Sequence, residues 1–230
     1  IALGCNGVMI DASHSPLEEN LKRTKQVVEM AHACGVPVEA ELGYVPEAGG
    51  EAADELSFTT VDQARGFVRH TGVDFLAVSI GTVHGRLKGK PRLDYQRLRH
   101  INEALHIPLV IHGGSGLSED QYHRLTTAGV AKINYHTSLS EAAAKSVRAK
   151  SGPAEDYAAM TEGVREAISL EAEQCMRQWG SAGRAAEVAS SGEYEPAVDV
   201  RLHMARVVLQ GLVVLGERLV EKLRSLGLLA

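Results

Sequence analysis

Short apolar runs alternate along the chain with longer stretches of helical periodicity. The runs are residues 7–10 (GVMI), 38–42 (VEAEL), 73–80 (VDFLAVSI), 109–111 (LVI, after Pro108) and 130–134 (VAKIN). Each is too short for a helix and reads as a strand, and the runs 73–80 and 109–111 suit strands buried on both faces. The intervening segments carry helix signals. Residues 15–35 begin with Ser15 as a cap, Pro16 in the first helical position and Glu18 closing a capping box, and place Leu17, Leu21, Thr24, Val28 and Ala31 on one face. Residues 60–72 open with Thr60 and Gln63 as a capping box, residues 94–105 form the next helix, and Ser118 with Gln121 caps another that Gly129 closes. Residues 138–180 read as helical, with a break at Ser151-Gly152-Pro153. Regular strand–helix alternation predicts an α/β fold.

The chemistry falls at the strand ends, where α/β proteins put their sites. Two successive strands each deliver a histidine followed by glycine: His84-Gly85 and His112-Gly113-Gly114. Neutral imidazole is a common ligand for zinc-like metals and can come from separate elements. Gly113, Gly114 and Gly116 around Ser115 leave backbone N–H groups unshielded, which suits an anion. Glu39 and Glu41, two residues apart on a strand, share one face. Burying both there demands a cation or hydrogen bonds.

Composition narrows the class. With 24 Lys and Arg against 29 Asp and Glu, the net charge of −5 does not supply the basic footprint of a nucleic-acid binder. No apolar run reaches the roughly 20 residues needed to span a bilayer. Three widely spaced cysteines (Cys5, Cys34, Cys175) fit reduced thiols in a cytoplasmic protein better than a disulfide framework. At 230 residues one substantial domain is expected.

Taken in order, VMIDASH, VEAELG, VSIGTVHG, VIHGGSG and KINYHT resemble the class II, metal-dependent ketose-bisphosphate aldolases, the fructose- and tagatose-bisphosphate enzymes being most similar. The resemblance covers roughly residues 1–185 and implies a (β/α)8 TIM barrel, of which this segment would supply strands 4–8. The remaining residues, 186–230, are expected to form a C-terminal helical extension. The first three strands are expected upstream of residue 1, together with the family's general-acid aspartate and a further histidine ligand, so neither is assigned to a residue here.

The resemblance further implies a zinc-dependent aldolase that reversibly cleaves a ketose (bis)phosphate to dihydroxyacetone phosphate and an aldehyde. Zinc, or another divalent metal, would be held by His84 and His112, with Glu41 as a carboxylate near it. The substrate would be held by Gly85, Gly113, Gly114, Ser115, Asn134, Tyr135, His136 and Thr137, with sodium or potassium at the phosphate site. A lid over residues 43–59 would bring the proton-abstracting carboxylate, with Glu51 the candidate and Glu47, Asp54 and Glu55 its rivals. The basic run 86–92 (RLKGKPR) follows the rim and would attract anionic substrates. Lys132 is not needed as a Schiff base.

Two positions depart from the family pattern. His136 stands where an aspartate is usual and Tyr135 where a small aliphatic residue is usual, both beside the expected substrate. A related aldolase acting on a deoxy-sugar or sugar-acid phosphate is therefore the competing enzyme reading, and a non-catalytic fragment or phosphate-ligand-binding module is the other. His14, His32, His100 and His106 are expected to be surface or hydrogen-bonding residues. In the extension, Val198, Leu202, Ala205, Leu209, Leu212, Gly216, Leu219, Leu223 and Leu226 form a heptad seam. It would pack on its own barrel or join subunits of a homo-oligomer, a dimer or tetramer.

Overall fold

The computed structural model describes residues 5–46, 48, 58–85, 92–152 and 156–184. Five strands and seven helices follow one another over this range: β1 (Val8–Ile10), α1 (Leu17–His32), β2 (Val38–Leu42), α2 (Val61–Thr71), β3 (Phe75–Val78), α3 (Tyr95–Leu105), β4 (Leu109–Ile111), α4 (Glu119–Thr127), β5 (Val130–Ile133), α5 (Thr137–Lys150), α6 (Tyr157–Thr161) and α7 (Val164–Gln178). The strands form one parallel sheet in the order β1-β2-β3-β4-β5. Sequential order with a helical crossover at each step is the repeat of a (β/α)8 barrel, as the sequence predicts.

The chain divides into two units, residues 1–180 and 181–230. The expected extension, with its heptad seam, lies outside the described residues, as do Glu47, Glu51, Asp54 and Glu55 of the proposed lid and residues 86–91 of the basic run.

Two faces of the sheet are buried, and period-two alternation gives them different chemistry. Val38, Ala40 and Leu42 of β2, Leu76 and Val78 of β3, Leu109 and Ile111 of β4 and Ile133 of β5 pack with Ala64, Phe67, Leu98, Ile101, Tyr122 and Leu125 of the helices into one apolar layer. The opposite face carries Glu39, Glu41, Ala77, Val110 and Lys132. There Glu41 is registered with Ala77, Ala77 with Val110, and Val110 with Lys132.

Helix caps follow the sequence with one exception. Thr60 and Ser118 each accept the N–H of the residue three further on, Gln63 and Gln121, which return the bond in full capping boxes. Ser15, by contrast, does not cap α1. Pro16 occupies that place at φ −53° and ψ 146° without a side-chain cap, and the Ser15 N–H closes a turn on the Ala12 carbonyl at 3.0 Å. Proline holds φ near the value an extended N-cap requires, which starts the helix one residue later than Ser15 and Glu18 suggest.

The expected strand over 73–80 is shortened to β3 because its last polar group turns away: the Ser79 N–H donates to the Thr59 hydroxyl at 2.9 Å. Likewise β5 stops at Ile133, and Thr137, expected at the end of that strand, is the first residue of α5. His32, expected to be merely solvated, lies 2.8 Å from Asp74 Oδ2, which also accepts the Val38 N–H at 2.7 Å and so ties α1 to β2 and β3.

Candidate active site

The two rim histidines are brought together by backbone contact between the turns that carry them. Gly113 has φ +69°, and a Cβ placed there would lie 2.1 Å from the Val83 carbonyl oxygen. Only glycine lets the β4 turn approach the segment ending in His84 this closely. The rings of His84 and His112 consequently lie 6.0 Å apart, tilted by 30°. His84 is itself fixed by its backbone, which donates to Pro46 O at 2.8 Å and accepts from Ala48 N at 2.7 Å.

Beneath the rim sits a buried charge cluster. His112 Nε2 lies 3.1 Å from Glu39 Oε1, and its Nδ1 lies 2.6 Å from Glu41 Oε2. Lys132 Nζ completes it at 2.8 Å from Glu39 Oε2. The side chains of Glu39, Glu41 and His112 are at most 5% exposed. Asn20 of α1 buttresses β2, its amide donating to the Glu41 carbonyl at 3.0 Å. Lys132 and Glu39 belong to strands separated by two others. Across a flat sheet that step would be roughly 14 Å, three spacings of about 4.8 Å, beyond the comfortable reach of a lysine and a glutamate. Closure of the pair therefore reports a sheet curled toward this face, as in a barrel wall.

Electrostatics follow from this geometry. Burial opposes charge on His112, but the hydrogen bond to Glu39, the 2.6 Å contact with Glu41 and the negative charge of both outweigh it and raise its pKa to about 9. Burial likewise opposes charge on Glu39, and His112 and Lys132 overcome it, holding that carboxyl below its ordinary range. For Asp11, at the end of β1, desolvation is offset by the backbone and hydroxyl of Ser13 and by His112 and His14, which together lower its pKa.

Glu41 differs from Glu39 in one respect. Although its Oε2 is close to His112 Nδ1, the contact is not aligned as a hydrogen bond, and this buried oxygen has no hydrogen-bond partner. A buried carboxylate oxygen beside two imidazoles is a donor set of the N/O kind that suits a divalent cation of the zinc class. Among the described residues no three His, Cys, Asp or Glu side chains are already arranged around a metal position. The donors fit the group chemically, and both carboxylates of β2 engage His112.

The remaining expected residues gather on the β4–β5 side. Gly114 lies against β5: a Cβ there would be 2.4 Å from Ile133 Cγ2, and its N–H donates to the Asn134 carbonyl at 3.1 Å. Gly114 thus serves by close approach, its own N–H already engaged. Ser115 is buried, and its hydroxyl accepts the Ser138 N–H at the start of α5 at 3.3 Å. Thr137 opens that helix, with His136 exposed at its N-cap and contributing no side-chain cap. Asn134 presents its side-chain oxygen to Lys132 Nζ at 2.6 Å. Gly85 takes φ +88° beside Ala48, at the His84 end of the rim.

Tyr135 is turned elsewhere. Its hydroxyl donates to Glu171 of α7 at 2.6 Å, and its ring meets Trp179 edge-on at 5.4 Å. An aromatic residue where the family has a small one thus anchors α7 to the end of β5. Lys132 and Glu39 are the residues that sequence reasoning undervalued. Lys132 is the only basic residue in any of the five described strands, and that was the available signal, since two inward carboxylates required a cation.

A parallel sheet of sequentially ordered β/α units, with histidines and carboxylates gathered at one rim, is the architecture of a barrel-type enzyme. The family profile "Fructose-bisphosphate aldolase class-II" matches residues 1–184, and the chain belongs to that family. Among its relatives, the fructose-bisphosphate aldolase of Geobacillus stearothermophilus is 41% identical over 194 residues, covering 81% of this chain and 67% of the relative. The crystal structure of the YdjI aldolase from Escherichia coli K12 superposes with a TM-score of 0.70 at 37% identity, over 80% of this chain and 64% of that one. A fructose-bisphosphate aldolase of Staphylococcus aureus is 44% identical over 152 residues, covering 64% of this chain and 52% of the relative. The chain thus spans between about half and two thirds of the length of these relatives. Among the described residues no helix is long and apolar enough to cross a membrane.

Proposed function

We propose that the protein is a divalent-metal-dependent aldolase, zinc being the expected metal, that reversibly cleaves a phosphorylated ketose to dihydroxyacetone phosphate and an aldehyde. The observation that carries this is the rim itself: His84 and His112 lie beside one another, with the buried Glu41 carboxylate 2.6 Å from His112. His84 and His112 would hold the cation, with Glu41 as the adjacent carboxylate. When bound, such an ion polarises the substrate ketone and balances the negative charge that develops on its oxygen.

The chain's own residues do the rest. Glu39, bonded to the far nitrogen of His112, orients that ring. Ser115, Thr137 and the first turn of α5 offer donors to the phosphate and hydroxyl oxygens, where the helix dipole favours negative charge. Gly85, Gly113 and Gly114 let the turns of this rim pack closely enough to bring those donors together, and Asn134 adds its amide. In the cleavage direction a base removes the proton of the hydroxyl two carbons from the ketone. The bond between the hydroxyl-bearing carbon and the carbon next to the ketone breaks, the hydroxyl-bearing carbon leaves as the aldehyde, and the electron pair of the bond moves toward the ketone oxygen. Returning a proton to the carbon next to the ketone completes dihydroxyacetone phosphate. A sodium or potassium ion at the phosphate site remains the expectation of the family resemblance.

His136 favours a second reading in which the same reaction is run on a different phosphorylated ketose, because an imidazole replaces the usual aspartate beside the substrate. The test is cleavage of a panel containing fructose and tagatose bisphosphates, deoxy-ketose phosphates and sugar-acid phosphates, with zinc added or removed by chelation. Zinc-dependent release of dihydroxyacetone phosphate from any member supports the reaction, and the preferred member names the sugar. No zinc-dependent release from any of them would end the proposal.

A further inference from the structure

Lys132 touches two groups of the rim with one ammonium: Glu39 Oε2 at 2.8 Å and Asn134 Oδ1 at 2.6 Å. Its side chain is 11% exposed, so it was placed at the cost of desolvation. An ammonium only donates, whereas an amide has a donor end and an acceptor end. The lysine therefore selects the polarity of Asn134: the carbonyl oxygen faces Nζ, and the NH2 is left for another oxygen. On the other side, Glu39 is gripped through both oxygens, Oε2 by Lys132 and Oε1 by His112 Nε2. A carboxylate held at both ends cannot rotate, and it fixes the imidazole plane that it meets.

We infer that Lys132 is a positioning residue that couples the two halves of the site. Through Glu39 it keeps Nε2 of His112 as the hydrogen-bonded nitrogen and Nδ1 as the one turned toward Glu41. Through Asn134 it keeps an amide donor, not an acceptor, available to an anionic or hydroxylated ligand. This rests on the aldolase reading of the rim for the identity of metal and ligand, but not for the coupling itself. A lysine serving only to neutralise a buried carboxylate would have no need of Asn134, and its removal together with that charge would change the site no further than removal of the Glu39 charge alone.

The deciding comparison sets the double substitution Lys132→Met with Glu39→Gln, which removes both charges together and leaves no unpaired ion in the interior, against Glu39→Gln alone. Lys132→Met alone and Lys132→Arg accompany them. Three readings are taken on each folded protein: zinc affinity by chelator competition, the 15N shifts of the His112 ring with zinc bound, and KM and kcat on the ketose phosphate preferred by the unaltered protein. The double variant is expected to melt as a folded protein and to bind zinc about 10-fold more weakly than Glu39→Gln alone. Its His112 nitrogens should depart further from the pattern of one metal-bound and one protonated site, and KM should rise more than kcat falls. Lys132→Arg, retaining donors and charge, should keep more zinc affinity than Lys132→Met. A folded double variant with the zinc affinity, His112 shifts and KM of Glu39→Gln alone would overturn the coupling, whatever the kcat. If the unaltered protein cleaves no ketose phosphate yet the double variant loses zinc beyond Glu39→Gln, the aldolase reading falls and the positioning role stands.

Discussion

The two faces of one sheet show what each kind of burial is for. In β2 every residue is buried, yet Val38, Ala40 and Leu42 join the apolar layer beneath the helices while Glu39 and Glu41 enter a charge cluster on the other side. The apolar face is stabilised by removal of hydrocarbon from water, at about 25 cal/mol per Å². The charged face has to overcome desolvation of four ionisable groups, and buried ion pairs often contribute no more than well-packed hydrocarbon would. Equal burial thus has unequal meaning: one face holds the fold, and the other is kept for chemistry.

Several substitutions would break or sharpen that contrast. The largest effect is expected from His112→Ala, which removes a proposed metal ligand together with the partner of both glutamates. Its zinc-dependent turnover should fall by at least about a thousandfold, some 4 kcal/mol of transition-state stabilisation, read as kcat/KM on the preferred substrate. Retention of a tenth of the activity would show that the cluster is structural.

On the opposite face, Ile111→Ala should leave any residual turnover per folded molecule nearly unchanged while costing about 2–5 kcal/mol of stability, measured by urea unfolding. Ile111 is fully buried among β4, β5 and their helices, so little collapse can fill the space. A loss below 1 kcal/mol would mean that the two faces are less distinct than their chemistry suggests.

The charged face should also announce itself through pH. In the metal-free protein the His112 pKa is raised from 6.5 to about 9, so its contribution favours the folded state fully below pH 6.5. That contribution disappears as pH rises through about 9 and is at most about 3 kcal/mol by linkage. Urea midpoints of the metal-free protein should therefore fall between pH 6.5 and 9.5, and His112→Ala should flatten that decline. An equal decline in the variant would place the effect elsewhere.

The smallest expected change is at a helix end remote from both faces. Ser118→Ala removes one member of the α4 capping box and should cost about 1 kcal/mol, with turnover unaffected. Glu18→Ala, at the start of α1, should cost little, because Pro16 rather than Ser15 takes the N-cap and no side chain caps that helix. A thermal-shift comparison of the two reads the difference directly.

What the sequence determined by itself was the local and the periodic. The order of strands and helices, the identity of β2 residue by residue, the capping boxes at Thr60 and Ser118, and the placement of His84 and His112 just beyond consecutive strands were all legible. Each depends on residues close together in the chain. Period two was enough to put Glu39 and Glu41 on one face, and ordered motifs were enough to name the family. The tertiary structure alone decided who meets whom. That Lys132 reaches Glu39 across two intervening strands depends on the curl of the sheet, which no local pattern encodes. That Gly113 must be glycine depends on the Val83 carbonyl lying where its Cβ would be. Tyr135 looked like a substrate neighbour because sequence places it beside Asn134, yet Glu171 and Trp179 of a later segment claim its side chain. The two glutamates of β2 are the clearest case. Their spacing announced a shared need for a partner, but only packing showed that Glu39 has Lys132 and His112 while Glu41 has His112 alone, because partners from distant strands are assigned by the closing of the sheet.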